Sequence, residues 1–341
     1  MSNKKVKFSD DIDEREKDES ESGDDEKESE IDDDDDVTNN NNNNNKIVNK
    51  PKKERNLTDI FVVPPISVLD VKQGYWKKQR KMWFDDFGIS KTCDGRKENA
   101  LKLSKLMAKK QKTTSVFDPV VCEVAYKWFS AVGDDIYDPF AGGAVRGMVA
   151  CFLERTYVGV DVRTEQVDEN DNHLNASVRA YKQPYSNYTP KWIAKDSNQY
   201  VPDHYDLLFT CPPYFDLEQY SSNKGDLSNM QFDEFLKAYR SILKLACSSL
   251  RNNRFAVIVI GDVRGDDGTY LKLPEYTIIF MEKAGCKLYN KMILLQEPVT
   301  GAMRAFNYMN SSRKIATVHQ NVYVFVKGDA KLATERLASF K

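Results

Sequence analysis

From Phe117 onward the apolar residues of this chain fall into two rhythms. Val121, Val124, Ala125 and Trp128 recur at helical spacing between Pro119 and Ser130. By contrast, the segments beginning at Ile136, Tyr157 and Tyr205 are short apolar runs that end in glycine- or proline-rich turns or at an acid. A further strand is expected to end near Ala194-Lys-Asp-Ser-Asn198, and Phe232–Leu250 has the length of a long helix. Phe255–Gly261 is a β-branched run of the kind buried on both faces of a sheet. Ile278–Ala284 and the runs around Met292 and Val322 are read as completing that sheet. Strands alternating with helices predict an α/β, doubly wound, mostly parallel sheet with a terminal β-hairpin, and such sheets bind ligands outside the carboxyl ends of their strands.

Upstream the pattern changes. Phe61–Leu69 is a proline-punctuated extended segment, and Gly74–Phe87 interleaves Trp76 and Trp83 with Lys77, Lys78, Arg80 and Lys81. Two readings fit it: an amphipathic helix that packs its aromatic residues inward, or a surface for phosphates and bases. Residues 96–112 are again Lys-rich, with Leu101, Leu103, Leu106 and Met107 near helical spacing. The first fifty residues hold 8 basic and 18 acidic side chains, with an acidic run at Asp32–Asp36 and seven asparagines at Asn39–Asn45. Such a composition cannot bury a core and predicts a disordered tail. The organisation expected is therefore a tail at 1–56, a basic and aromatic extension at 57–115, a main domain at 116–331 and a C-terminal tail at 332–341. The formal charge of −2 hides an asymmetry, because beyond residue 50 there are 42 basic against 34 acidic side chains. That surplus suits a partner with phosphates, without requiring one.

Two motifs carry the chemistry. Asp138-Pro-Phe-Ala-Gly-Gly143, with Gly147 beyond it, is a glycine turn between a strand and a helix, and Asp161 ends the next strand at the place where such folds bind ribose hydroxyls. The glycine spacing is not the dinucleotide Gly-x-Gly-x-x-Gly pattern, so the ligand need not carry a pyrophosphate. S-adenosylmethionine suits it better. The second motif, Cys211-Pro-Pro-Tyr214, follows an apolar strand. Two prolines fix the backbone and donate no hydrogen bonds, so the carbonyls before them are held rigidly, and an aromatic ring stands directly behind them to stack on a planar base.

Together these motifs resemble those of the phage and bacterial DNA amino methyltransferases, whose Asp/Asn/Ser-Pro-Pro-Tyr motif appears here in a Cys-Pro-Pro-Tyr variant. The resemblance extends from about Phe61 to Asp329. It includes Pro64-Pro-Ile-Ser-Val-Leu-Asp70, Gln73-Gly-Tyr-Trp76, Asp161-Val-Arg-Thr-Glu-Gln166, Asp226-Leu-Ser-Asn-Met230 and the segment His319–Asp329. It implies a seven-stranded class I S-adenosylmethionine-dependent methyltransferase fold, with the cofactor bound by Asp138, Phe140, Gly142, Gly143, Asp161 and Asp196. It also implies direct methyl transfer to the exocyclic amine of a flipped adenine (N6) or cytosine (N4), with Cys211, Pro212, Pro213 and Tyr214 as the catalytic set and Phe215 lining the base pocket. Cys211 departs from the family's oxygen-bearing residue, and a thiol accepts hydrogen bonds weakly. A covalent role like that of the cytosine-C5 enzymes is disfavoured, because their nucleophilic cysteine follows a proline instead of preceding two.

Duplex DNA is the expected partner, with RNA as an alternative because the same amine chemistry serves both. A DNA-binding relative with weak catalysis is a further reading that Cys211 keeps open, and a small-molecule methyltransferase would share the cofactor fold but not the Pro-Pro-Tyr turn. Lys77, Lys78 and Arg80, with Arg304, Arg313 and Lys314 in the loop 297–318, are candidate nucleic-acid contacts. The six cysteines stand singly and only three histidines are present, so no metal site is expected. No apolar leader or membrane-length run is evident, which predicts an intracellular protein. Lys50-Pro-Lys-Lys-Glu-Arg55 suggests the nucleus if the host is eukaryotic.

Overall fold

The β-branched run at 255–260 lies inside a single sheet and is buried along its whole length. In the computed structural model the described residues are 56–89, 116–181, 188–214, 227, 230–296, 301–337 and 339. The acidic tail, the basic cluster at 50–55, the Lys-rich stretch at 96–112 and Phe215 lie outside them, as does the side chain of Arg304. The strands are β1 (Val68–Asp70), β2 (Asp135–Asp138), β3 (Thr156–Asp161), β4 (Lys191–Ala194), β5 (Tyr205–Thr210), β6 (Leu250–Ile260), β7 (Cys286–Leu295) and β8 (His319–Lys327). The helices are α1 (Leu57–Phe61), α2 (Gly74–Asp85), α3 (Pro119–Phe129), α4 (Val145–Phe152), α5 (Thr164–Tyr181), α6 (Phe232–Ser249), α7 (Leu273–Lys283), α8 (Gly301–Ser312) and α9 (Ala330–Glu335).

The strands follow the order β1-β7-β8-β6-β5-β2-β3-β4. From β4 through β6 every pairing is parallel, and β8 then runs antiparallel between β6 and β7. This is the doubly wound sheet with an antiparallel end expected from the sequence, with one addition: β1 joins the edge, parallel to β7, and makes eight strands where seven were expected. Alternation along the central strands feeds two cores. Phe255, Val257, Val259, Val322, Val324 and Val326 face the one shared with α3 and α4. Ala256, Ile258, Ile260, Tyr323 and Phe325 face the one shared with α6. Burial on both faces is why these strands read as continuous apolar runs.

Two expectations are corrected. Ile278–Ala284 does not complete the sheet but belongs to α7, where Leu273, Thr277 and Met281 are buried at four-residue spacing while Ile279 stays 41% exposed. The loop at 297–318 contains α8. In α2, Trp76 and Trp83 are fully buried and their indole N–H groups donate to Asp118 Oδ2 (3.0 Å) and Glu123 Oε2 (2.7 Å) of the α3 region. Arg80 forks onto the same Asp118, and Lys127 neutralises the buried Glu123 at 2.7 Å. The aromatic face of α2 thus packs inward, while Lys77 and Lys78 are exposed. At the other terminus Ala333 of α9 is buried and Arg336 pairs with Asp134.

Candidate functional site

Because β2, β3, β4 and β5 are parallel neighbours, the residues that end them share one edge of the sheet: Asp138, Asp161, the turn after Ala194, and Cys211 just beyond Thr210. Asp138 is completely buried, and four donors hold it. Its Oδ1 accepts from the Phe140 N–H (3.0 Å) and Thr210 Oγ1 (2.6 Å), and its Oδ2 from Arg146 Nε (2.5 Å) and the Tyr157 hydroxyl (2.9 Å). Arg146 continues inward along the turn, donating to the carbonyls of Phe140 (2.5 Å) and Ala141 (2.7 Å), while its guanidinium lies 4.7 Å from the Phe117 ring centre. Burial alone would favour losing the Arg146 proton, but the Asp138 carboxylate overrides it and holds the guanidinium charged, above its ordinary range. Burial also pushes the Tyr157 hydroxyl up, and the Asp138 charge adds to it. Asp138 and Arg146 therefore work as an internal clamp that sets the shape of the glycine turn.

Gly142, at φ 51°, is fastened from the opposite side. Its carbonyl accepts from Asn170 Nδ2 (2.7 Å), Asn170 Oδ1 accepts from Gln166 Nε2 (3.0 Å), and Gln166 Oε1 accepts from Arg163 Nη2 (2.8 Å). Arg163 in turn lies 3.4 Å from Asp161 Oδ1 through Nε and donates its backbone N–H to the same oxygen at 2.9 Å. Gln166 and Asn170 are fully buried at i, i+4 on α5. A polar chain thus links the acid at the tip of β3 to the glycine turn after β2. Asp161 itself keeps 12% of its side chain exposed. Beyond β4, Asp196 Oδ1 accepts from the Asn198 N–H (2.8 Å), and Ser197 Oγ donates to the Pro139 carbonyl (2.5 Å), which ties this turn to the first. Asp196 is half-buried, as are Phe140 and Gly143. Phe140 packs at the margin of the core under α6, 6.0 Å from the Tyr239 ring centre.

The proline motif leaves β5 directly after Thr210, so the Thr210–Asp138 hydrogen bond bolts the two motifs together. Pro212 is buried, while Cys211, Pro213 and Tyr214 are half-buried. Cys211 Sγ lies 3.7 Å from the Tyr214 hydroxyl, which also receives a hydrogen bond from Gln320 Nε2 of β8. Gly261 lies against the tyrosine: a Cβ there would stand 3.4 Å from its ring, in ordinary contact. Cys211 is the half-buried thiol at this edge, whereas Cys122, Cys151, Cys247 and Cys286 are buried in the cores.

The structure brings the motif residues 138–143, 161, 196 and 211–214 to one edge. The basic candidates are dispersed. Lys77 and Lys78 lie on α2, Arg313 and Lys314 follow α8, and Arg80 is engaged by Asp118. Arg146, Thr210, Tyr157 and Asn170 were not singled out in the sequence as site residues, and Arg163, Gln166 and Gln320 entered only within stretches of the resemblance, with no role assigned. Arg146 left a signal, being a lone cation in the apolar run Ala144–Phe152. Among the described residues no group of three His, Cys, Asp or Glu side chains could hold a metal ion, and no helix is long and apolar enough to cross a membrane.

No family model matches the chain, and no curated protein matches it. Among solved structures it is similar to TrmN from Thermus thermophilus, at 14% identity and a TM-score of 0.40 over 62% of this chain and 49% of that one. The chain thus spans about half the length of TrmN. A TehB-like SAM-dependent methyltransferase from Corynebacterium glutamicum matches at 15% identity and a TM-score of 0.38, over 65% and 93% of the two chains. Magnesium protoporphyrin IX methyltransferase from Synechocystis, with bound SAM, matches at 10% identity and a TM-score of 0.35, over 58% and 71%. The order β4-β3-β2-β5-β6-β8-β7, with β8 antiparallel, is the doubly wound, mostly parallel sheet with a terminal hairpin expected of the class I methyltransferase fold.

Proposed function

We propose that this chain is an S-adenosylmethionine-dependent methyltransferase acting on the exocyclic amine of adenine (N6) or cytosine (N4) in DNA. The observation that carries the reading is the Thr210–Asp138 hydrogen bond, 2.6 Å long, which couples a glycine turn suited to the cofactor to a Pro-Pro-Tyr turn suited to a base. A fold of this class hosts many substrates, so the substrate is argued from the site.

The residues present fit the cofactor. Asp161 and Asp196 offer two carboxylates at the carboxyl edge, for a ribose diol and an adenine amine, and the turn at Gly142–Gly143 brings backbone rather than side chain to the ligand. Asp138 acts indirectly: with four donors on it, its role is to hold the turn. When bound, S-adenosylmethionine supplies an electrophilic methyl group. At the target amine, the carbonyl of Pro212 accepts a hydrogen bond and Cys211 Sγ adds a weak second contact, which orients the nitrogen lone pair. Tyr214, fixed between Gly261 and Gln320, offers a rigid platform that partly offsets the few kcal/mol of flipping a base. Alignment and electrostatics carry the rate, since the amine needs no strong base before attack.

Nucleoside mass spectrometry of unmethylated duplex DNA, incubated with the protein and S-adenosylmethionine, tests this. N6-methyladenine or N4-methylcytosine is expected from the wild type and not from a Pro212→Ala, Tyr214→Ala double variant. Methylated nucleosides in RNA alone would replace the substrate, and their absence from both, with cofactor bound, would leave a DNA-binding relative without catalysis.

A further inference from the structure

The turn at 264–270 and the segment after α8 line a cleft of about 630 Å³. The turn is closed by a bridge between Arg264 and Tyr270 and by the Gly265 N–H donating to the Thr269 carbonyl at 2.9 Å. The Arg264 guanidinium lies over the Tyr270 ring, 3.8 Å from its centre, and donates to the Gly268 carbonyl at 2.9 Å. Tyr270 is nevertheless 43% exposed. Arg313, in the left-handed region at φ 57°, reverses the chain at the end of α8 and delivers Lys314 across Gly268.

The charge of the cleft is one-sided. Arg264, Arg313 and Lys314 line it against one acid, Asp267, whose carboxylate accepts from the Thr269 N–H (2.8 Å) and hydroxyl (2.8 and 2.9 Å). From Gly301 to His319 the chain contains no Asp or Glu. The cleft ends at His319, the residue before Gln320, whose amide holds Tyr214. A stacked Arg–Tyr pair next to two cations has the chemistry of a nucleotide site: a π surface for any base, and positive charge for its phosphate.

We propose that this cleft takes the nucleotide flanking the target base on the same strand, with its base on the Arg264–Tyr270 stack and its phosphate against Arg313 and Lys314. The inference rests on the nucleic-acid reading of the site and adds a second point of attachment to it. Such a contact tolerates any sequence, because every base has a π face.

Fluorescence anisotropy of a short labelled single-stranded DNA, titrated with the full-length protein at several salt concentrations, tests it. Tyr270→Ala is expected to weaken binding about tenfold with the salt slope unchanged, as for one lost base–aromatic stack. Tyr270→Phe, which keeps the ring, should bind as the wild type does. Arg313→Ala with Lys314→Ala should lower the slope of log Kd against log salt by about one. Wild-type affinity and slope in Tyr270→Ala and in the double variant would overturn the proposal, as would failure of the wild type to bind the strand. The nucleoside assay keeps the two readings apart. Methylated DNA with unaltered binding in the variants removes the cleft alone, whereas the expected binding pattern without methylation removes the chemistry alone.

Discussion

At the scale of single residues, the clamp between Asp138 and Arg146 dominates. Both side chains are buried, and removing one partner leaves the other's charge without compensation. Arg146→Met, close in length and apolar, is therefore expected to cost about 3–5 kcal/mol of stability, measured by urea unfolding. A loss within about 0.5 kcal/mol, the range of ordinary surface substitutions, would show that the clamp does not hold the turn. Of this node, Asp138 and the glycines were legible because they are contiguous in the chain and of unusual composition. Thr210, 72 positions from Asp138, was not, because a threonine at the end of an apolar strand carries no mark of its partner. The same holds for Gln166 and Asn170, since polar residues at i, i+4 look alike on a solvated helix and in a buried relay.

At the scale of elements, Asp206 joins three strands at the edge opposite the site. It accepts from the Asp135 N–H of β2 at 3.2 Å and pairs with Arg251 (2.6 Å) and Arg254 (2.7 Å) of β6. Burial would raise its carboxyl, but the Arg254 hydrogen bond, the Asp135 N–H and Arg251 outweigh it and hold the group below the ordinary aspartate value. A carboxyl depressed in the folded state contributes stability above its unfolded value and loses it as pH falls through the folded one. Wild type should therefore exceed Asp206→Asn in stability at neutral pH, and the gap should close below about pH 4. Thermal unfolding of the pair across that window is the check, and a constant gap would place the ion pairs elsewhere in the balance. Elements were legible where one rhythm ruled. The continuously apolar core strands 255–260 and 322–326 read correctly, whereas Ile278-Ile-Phe280 imitated a strand, although Pro274 at the first turn and Gly285 beyond the end mark a helix. The three-residue β1 is too short for any periodicity to reveal.

At the scale of the molecule, charge is divided along the chain. The first fifty residues carry a surplus of ten acids and the remainder a surplus of eight bases. A protein beginning at residue 51 should bind DNA more tightly than the full chain at low ionic strength, with the difference fading as salt screens the tail. Equal affinity of both forms at low salt, measured by titration, would mean that the acids do not compete for the basic surface. The edge strand has a consequence in time. β1 meets its partner residues at 293–295, so the earliest strand of the sheet waits for almost the last. At ribosomal speeds of about 5–20 residues per second, that strand is made roughly 10–45 s before its neighbour exists, and must stay unpaired on that side for the whole interval.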